Sequence, residues 1–457
     1  MNRNDVQVAV IGAGSIGLAV AYYLIRKYGV SRIALVDPRD PMSLTSAQSG
    51  ENYRNWWPHP VMTAFTNDSI RLLEEIARET GNRINMTRRG YALVTRRNDP
   101  SDLIADLYQG YADESETHIR IHKGNGPHVT YKPAVSAAWE DAPKGVDVLC
   151  DQTLIRQTFP AFATDVGTVL HVRHAGSISG QQLGQYMLEM IRAAGGQLIR
   201  GEVVAIDGAS PFDLSIRTHD QVISLRADRI VNAAGPYLKD VAKLMDEDLP
   251  VSCVYQQKIA FEDQEGAVPR NLPFSIDLDG QTLNWTSEEC AILAEDPATA
   301  RLTEFISGGI HCRPDGAEGG KWIKLGWAFN ERASEPREAE PREDYFPDIV
   351  LRAASRLQPA LRAYVGHLPR GAHHYGGYYT MTEENWPLIG PMRTPGAFVA
   401  GALSGFGTMA ACSTGLICAD WVMGGQLVPY ARTLSPSRYQ DPAIMADLAA
   451  AQNRGVL

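Results

Sequence analysis

Three glycines, Gly12, Gly14 and Gly17, follow the apolar run Val8-Ala9-Val10-Ile11, with Ser15 and Ile16 between the last two. A second apolar run, Ile33-Ala34-Leu35-Val36, ends in Asp37, twenty residues after Gly17. A strand, a G-x-G-x-x-G turn, a helix and a strand closed by an acid form the unit that binds a dinucleotide. Gly12 allows the tight turn, Gly14 lets backbone approach a pyrophosphate, and Gly17 lets the helix pack on the strand. The free N–H groups at the helix start receive phosphate oxygens, and Asp37 can accept hydrogen bonds from a ribose. The strand context and the acid set this loop apart from a glycine-rich turn that binds nothing.

Other chemistries find less support. The six cysteines (Cys150, Cys253, Cys290, Cys312, Cys412, Cys418) have no C-x-x-C spacing, so neither a metal site nor a disulfide framework is expected, and a reducing compartment fits. A formal charge of −10 without a Lys/Arg cluster argues against a nucleic-acid surface. The N-terminus runs straight into the first strand, and no apolar run reaches about 18 residues, so no signal peptide or membrane span is expected. The expected location is the cytoplasm.

With 457 residues, 44% hydrophobic and 21% charged, the chain is long enough for two or three domains. Ala64 to Thr80 has apolar residues at helical spacing and ends near Gly81-Asn82. Ser179 through Gly195 reads as a helix stopped by glycine, returning as a strand near Val203 to Ile206. Arg229 to Asn232 is an apolar strand ending in Ala233-Ala234-Gly235-Pro236, small residues suited to close approach by a ligand. Ala397 to Gly401, then Ser404-Gly405-Phe406-Gly407 through Trp421, gives a last strand and helix. The predicted fold is α/β: a dinucleotide-binding Rossmann-type domain from 1–84, 165–250 and 367–457, with an α+β substrate domain on a mainly antiparallel sheet from 85–164 and 251–366. The mixed-sign stretch Glu331 to Asp344, with two prolines, reads as a solvated loop.

The glycine turn, the turn Thr45-Ser46-Ala47-Gln48-Ser49-Gly50, the Asn232-to-Pro236 edge, and the late Asn385-Trp386-Pro387-Leu388-Ile389-Gly390-Pro391 followed by Ser404-Gly405-Phe406-Gly407 resemble, in order and separation, the D-amino-acid oxidase and sarcosine oxidase superfamily of flavoenzymes. The resemblance spans nearly the whole chain. It implies a glutathione-reductase-like domain holding FAD rather than NAD. On that resemblance Gly12, Gly14, Ser15, Ile16, Gly17 and Asp37 hold pyrophosphate and ribose, and Ser46, Ser49 and Gly50 follow the ribityl chain. Val203 faces adenine, Ala234 and Gly235 line the sheet edge, and Gly401, Ser404, Gly405 and Gly407 approach the flavin ring. A helix starting at that last position favours the anionic reduced ring. Gly377 stands where sarcosine oxidases carry a flavin-linking cysteine, so non-covalent FAD is expected.

The same resemblance places Lys324, in Lys324-Leu325-Gly326-Trp327, on the lysine that activates oxygen by stabilising charge as O2 is reduced. Tyr379 matches a substrate-side tyrosine, with Trp327 and Tyr378 as aromatic neighbours able to hold an alkylammonium. Arg54 falls near arginines beside the flavin or on a substrate carboxylate; an ion pair between strands is the structural alternative. Two departures argue against sarcosine itself. Met409 replaces the carboxylate-binding lysine after Ser-Gly-x-Gly, and Ala328 replaces a histidine after the Leu-Gly pair, leaving Arg54 or Arg313 as alternative anchors. The expected reaction is oxidation of a secondary or N-methylated amine or amino acid by hydride transfer to flavin N5, giving an imine and, with O2 as acceptor, hydrogen peroxide. Alternatives are a quinone or protein acceptor, oxidation of a 2-hydroxy acid, and a flavin-carrying subunit of a larger electron-transfer assembly.

Overall fold

The computed structural model describes residues 5–112, 115–124, 130–134, 138–316, 319–336 and 341–451. The remainder of the first segment and residues 337–340 of the predicted loop lie outside the described residues. Two sheets organise the chain. In the first, Asp5–Ile11 runs parallel to Ile33–Asp37 on one side and Val222–Asn232 on the other, and Gln197–Arg200 and Ala397–Gly401 extend the parallel core at its two edges. These strands are buried on both faces, which explains their continuous apolar runs. Helices Ser15–Tyr28, Gly180–Ala193 and Gly407–Met423 cover one face with Pro60–Glu79 in a single apolar cluster. Strand Phe212–Arg217, antiparallel to the first half of Val222–Asn232, and strand Glu202–Gly208, antiparallel to Phe212–Arg217, share an apolar cluster on the other face with Leu238–Lys243.

Helix Pro60–Glu79 begins four residues earlier than its apolar pattern predicts. Pro60 at the first position has no N–H to satisfy, and the His59 side chain accepts from the Val61 N–H at 3.2 Å.

The second sheet has nine strands in the order 373–381, 252–262, 322–326, 310–314, 274–277, 91–95, 168–172, 146–149 and 119–122, and is mainly antiparallel. Its outer face packs on helix Phe346–Leu357. Its inner face meets the loops at the carboxyl ends of the first sheet. Strands Thr168–Val172 and His373–Met381 belong here, whereas the expected boundaries at 165 and 367 assign them to the nucleotide-binding part; each exchange between the two halves falls after the strand, near 175 and 382. Among the described residues no helix is long and apolar enough to cross a membrane.

Candidate active site

The glycine turn sits at the carboxyl edge of the first sheet. Gly12 has φ +110°, and a Cβ there would lie 2.3 Å from the Ala233 carbonyl oxygen, so only glycine fits. A Cβ on Gly17 would lie 1.9 Å from the Gly12 carbonyl oxygen, which is the close helix-to-turn packing expected of it. Gly14 at the N-cap brings no side chain of its own to helix Ser15–Tyr28, and Ser46 Oγ from the second loop accepts from the Ser15 N–H at 3.0 Å, tying the two loops together. Ile16, half-buried, packs on the helix cluster. Asp37 accepts from the N–H groups of Ala13 and Arg39, both at 2.8 Å, which fixes its carboxylate at the rim.

A cleft of about 940 Å³ opens beside this turn, lined by Gly12, Gly14, Asp37, Ser46, Val203, Ala234 and Gly235. Arg39 and Tyr237 line it too, the guanidinium 5.4 Å from the ring centroid and donating to the hydroxyl at 3.3 Å. Neither residue is predicted from sequence; the only signal is that Arg39 lies two residues past the strand-ending acid. Thr45 Oγ1, on the cleft, is buried without a partner. A dipole-bearing helix start, an acid at the rim and an unpartnered hydroxyl fit the adenosine diphosphate half of FAD.

At the other end, Ser49 Oγ accepts from the Thr408 hydroxyl at 2.8 Å and from the Glu51 N–H at 2.9 Å, so the 45–51 loop is bonded to the first turn of helix Gly407–Met423. Ser404 has φ +45°, donates its N–H to the Thr380 carbonyl and its hydroxyl to Asn385. A Cβ on Gly405 would lie 2.6 Å from the Tyr379 ring, whereas one on Gly407 would make only an ordinary 3.7 Å contact with Leu403. Gly401 departs from its expected role: a Cβ there would meet Leu238 at 2.6 Å, so this glycine serves packing inside a strand.

Register builds the facing wall. Opposed residues of antiparallel strands share a face. The antiparallel pairs Arg313↔Lys324, His311↔Gly326, Gly326↔Lys258 and Lys258↔Tyr375 therefore carry one surface across the sheet, which the parallel pair Phe274↔Tyr91 continues, with Tyr379 two and four residues beyond Gly377 and Tyr375 on the same side. A Cβ on Gly377 would sit 3.2 Å from Gln48, so this face looks onto the 45–51 loop. Tyr378 and Trp327, one residue out of phase, lie on the other face. Tyr378 packs with Cys253 and Tyr255. Trp327 is buried in the outer apolar layer and donates to the Ser307 carbonyl at 3.1 Å. The structure thus brings together Arg54, Lys324 and Tyr379 and leaves out Trp327 and Tyr378.

The charges in the wall divide into a compensated group and an uncompensated one. Lys324 Nζ bonds Glu51 at 2.7 Å and lies 3.4 Å from Asp315; Arg313 bonds Asp315 at 2.7 Å and donates twice to the Gly50 carbonyl. Burial opposes ionisation of Asp315, but Arg313 and Lys324 overcome it and hold its carboxyl below the usual range. Arg313 is therefore occupied as a clamp on the 45–51 loop. Arg54 is not occupied. It is 2% exposed, its guanidinium lies 4.3 Å from the Trp57 ring centroid and 5.8 Å from that of Tyr91, and among the described residues none of its three nitrogens has a hydrogen-bond partner. Burial pulls its pKa down to about 10, which leaves it a cation at neutral pH. Among the described residues the alternative, an inter-strand ion pair, finds no partner at Arg54. Lys258, missed in the sequence, is 6% exposed and donates to the Tyr379 hydroxyl at 3.3 Å. His311 donates from Nδ1 to the Gly309 carbonyl at 2.9 Å; burial, with Lys258 and Arg313 nearby, lowers its pKa to about 4 and keeps it neutral.

A dinucleotide cradle facing a sheet wall of cations and phenols defines the class: a two-domain flavin oxidoreductase. The chain belongs to the FAD dependent oxidoreductase (DAO) family, which it matches over residues 7–421. Human mitochondrial dimethylglycine dehydrogenase is 20% identical over 451 residues, 96% of this chain, and the chain spans 45% of that protein's length. Glycine oxidase from Geobacillus kaustophilus has a TM-score of 0.69 at 16% identity, over 95% of this chain and 99% of that one. L-Proline dehydrogenase from P. horikoshii also gives 0.69, at 14% identity, over 95% and 98%. These structures share the fold.

Proposed function

We propose that this protein oxidises the carbon–nitrogen bond of an amino acid with a secondary or N-methylated nitrogen, giving an imine that water hydrolyses, with O2 as acceptor and hydrogen peroxide as product. FAD, when bound, supplies the two-electron oxidation. The chain's residues bind and orient the substrate.

The observation that carries this reading is Arg54. A guanidinium taken out of water with no acceptor costs several kcal/mol, and two aromatic faces return only about 2 kcal/mol. Such a residue is retained where an anion arrives to complete it, and its planar fork matches a carboxylate. The substrate in this reading is an amine that bears a carboxylate, which Arg54 grips while Tyr379 borders the reacting end. Neutral His311 and the apolar ring faces keep that end dry. The names of the three relatives above refer to dimethylglycine, glycine and L-proline, each an amino acid, which agrees with a carboxylate anchor.

A second reading, with a quinone or protein acceptor, is favoured by Lys324: its ammonium is paired to Glu51 and Asp315 rather than left to stabilise charge on oxygen. An anaerobic screen of the FAD-loaded protein against N-methyl amino acids, cyclic imino acids, D-amino acids and 2-hydroxy acids tests the reading. Bleaching of the flavin by an N-methyl or cyclic amino acid is expected, and bleaching by hydroxy acids alone would overturn it. Peroxide formed per turnover then separates O2 from another acceptor: one equivalent is expected, and none would leave the second reading.

A further inference from the structure

We propose that Lys258, not Lys324, supplies the uncompensated positive charge beside the flavin in the sheet wall, apart from Arg54, which is kept for the substrate carboxylate. Lys258 thereby raises the ring's affinity for electron pairs and, with O2 as acceptor, stabilises the negative charge that develops on oxygen. The proposal rests on the flavin-facing wall of the reading above.

Three observations carry it. First, charge: Arg313 and Lys324 face Glu51 and Asp315, two cations against two carboxylates. Among the described residues Lys258 has no carboxylate partner, and its ammonium donates only to a neutral phenol. Second, position: its stem runs beneath the 45–51 loop, with Cε 3.9 Å from where a Cβ on Gly50 would stand, and its head meets Tyr379, whose ring fills the space beside Gly405. Both segments flank the flavin in the assignment above. Third, construction: a Cβ on Gly326 would lie 3.0 Å from Lys258 Cγ and 2.6 Å from His311 Nε2, so a glycine on the neighbouring strand makes the room the lysine uses. Neighbouring His311 stays neutral, so it adds no second charge.

An ammonium held in a water-poor space acts on nearby charge far more strongly than one already neutralised by carboxylates. In the oxidative step, two electrons and one proton pass from the reduced cofactor to O2 and one proton comes from solvent, completing H2O2. The first electron makes superoxide, whose charge the Lys258 ammonium meets.

The test compares Lys258→Met with a double variant, Lys324→Met/Glu51→Gln, which removes a neutral pair. Two quantities are read: the dissociation constant for sulfite, an anion whose flavin adduct is sensitive to nearby positive charge, and the rate of reoxidation by O2 after anaerobic reduction. For Lys258→Met, sulfite affinity is expected to fall at least about 30-fold and reoxidation about 100-fold, a loss in the range ascribed to one electrostatic donor. The double variant should change each less than about 5-fold, and Lys258→Arg should restore most of the sulfite affinity. If Lys258→Met releases FAD, Lys258→Gln is read in its place. Equal effects of the two charge changes, or none at Lys258, would overturn the assignment. Parent protein that reoxidises slowly yet shows the sulfite effect would sink the O2 reading and leave the charge assignment standing.

Discussion

At the scale of single residues, the site turns on which charges are already satisfied. Arg313 and Lys324 are held by carboxylates and by the Gly50 carbonyl, so they fix a loop; Arg54 and Lys258 are buried with valence to spare. Arg54→Gln should raise KM for an amino-acid substrate on the order of 100-fold, the tenfold-per-1.4 kcal/mol equivalent of about 3 kcal/mol for a buried charge pair, with a smaller effect on kcat. The same variant, free of substrate, should melt no lower than the parent because it removes a buried cation that has no partner. A clear drop in melting temperature would mean that Arg54 holds the fold rather than the substrate. Arg54 was legible in the sequence as an arginine close behind the Ser/Gly turn, but its isolation was not, since that depends on what Trp57 and Tyr91 exclude. Lys258 was illegible: one lysine within Ser252–Glu262 carries no motif, and only its pairing with Gly326 and Tyr375 gives it a direction.

Elements explain why the cofactor half of the site is so readable. A G-x-G-x-x-G turn works through backbone, so its residue types follow from local geometry and survive without knowledge of partners. Gly12→Ala tests this: with φ at +110° and the Ala233 carbonyl 2.3 Å from the new Cβ, the purified variant should lose FAD, read as flavin per chain by absorbance. Retention of a full equivalent of FAD would contradict the assigned turn. Gly405→Ala should retain FAD but push Tyr379 aside, so that substrate-dependent bleaching slows while sulfite still binds. The wall was harder to read because strand register decides everything. Tyr378 and Tyr379 are adjacent, as are Gly326 and Trp327, and adjacent strand residues face opposite ways. Only one of each pair can line the wall, and the apolar cluster around Trp327 and the Cys253–Tyr255–Tyr378 contact settle which. Gly401, similarly, sits in the late motif yet serves to pass Leu238.

The whole molecule is built on two sheets, and the chain crosses between them repeatedly. That interleaving was visible as alternating segments, but the crossing points were not, because nothing in the residue pattern of Thr168–Val172 or His373–Met381 assigns it to one sheet; pairing partners remote in sequence decide it. The larger sheet also carries a buried pH liability. His171, fully buried, donates from Nε2 to the Arg89 carbonyl at 2.9 Å and accepts at Nδ1 from the Tyr131 hydroxyl, also at 2.9 Å; burial and Arg173 lower its pKa from 6.5 to about 3. Its unfolded form binds the proton first. The stability it contributes is therefore complete above about pH 6.5 and is lost as pH falls toward 3, amounting to about 2 kcal/mol by pH 5. Buried neutral His311, its pKa lowered to about 4, adds a similar loss, so urea unfolding should show both between pH 7 and 5 and His171→Gln should remove about 2 kcal/mol of the total; an unchanged slope in the variant would place the effect elsewhere. The account as a whole stands on oxidation of an amine that carries a carboxylate. The most direct measurement is an anaerobic titration of the FAD-loaded protein with a matched pair, an N-methyl amino acid that bleaches it and the same amine lacking the carboxylate. Half-reduction by the acid is expected at a concentration at least about 100-fold lower, the same charge-pair energy set against Arg54. Equal responses to both members of the pair would contradict it.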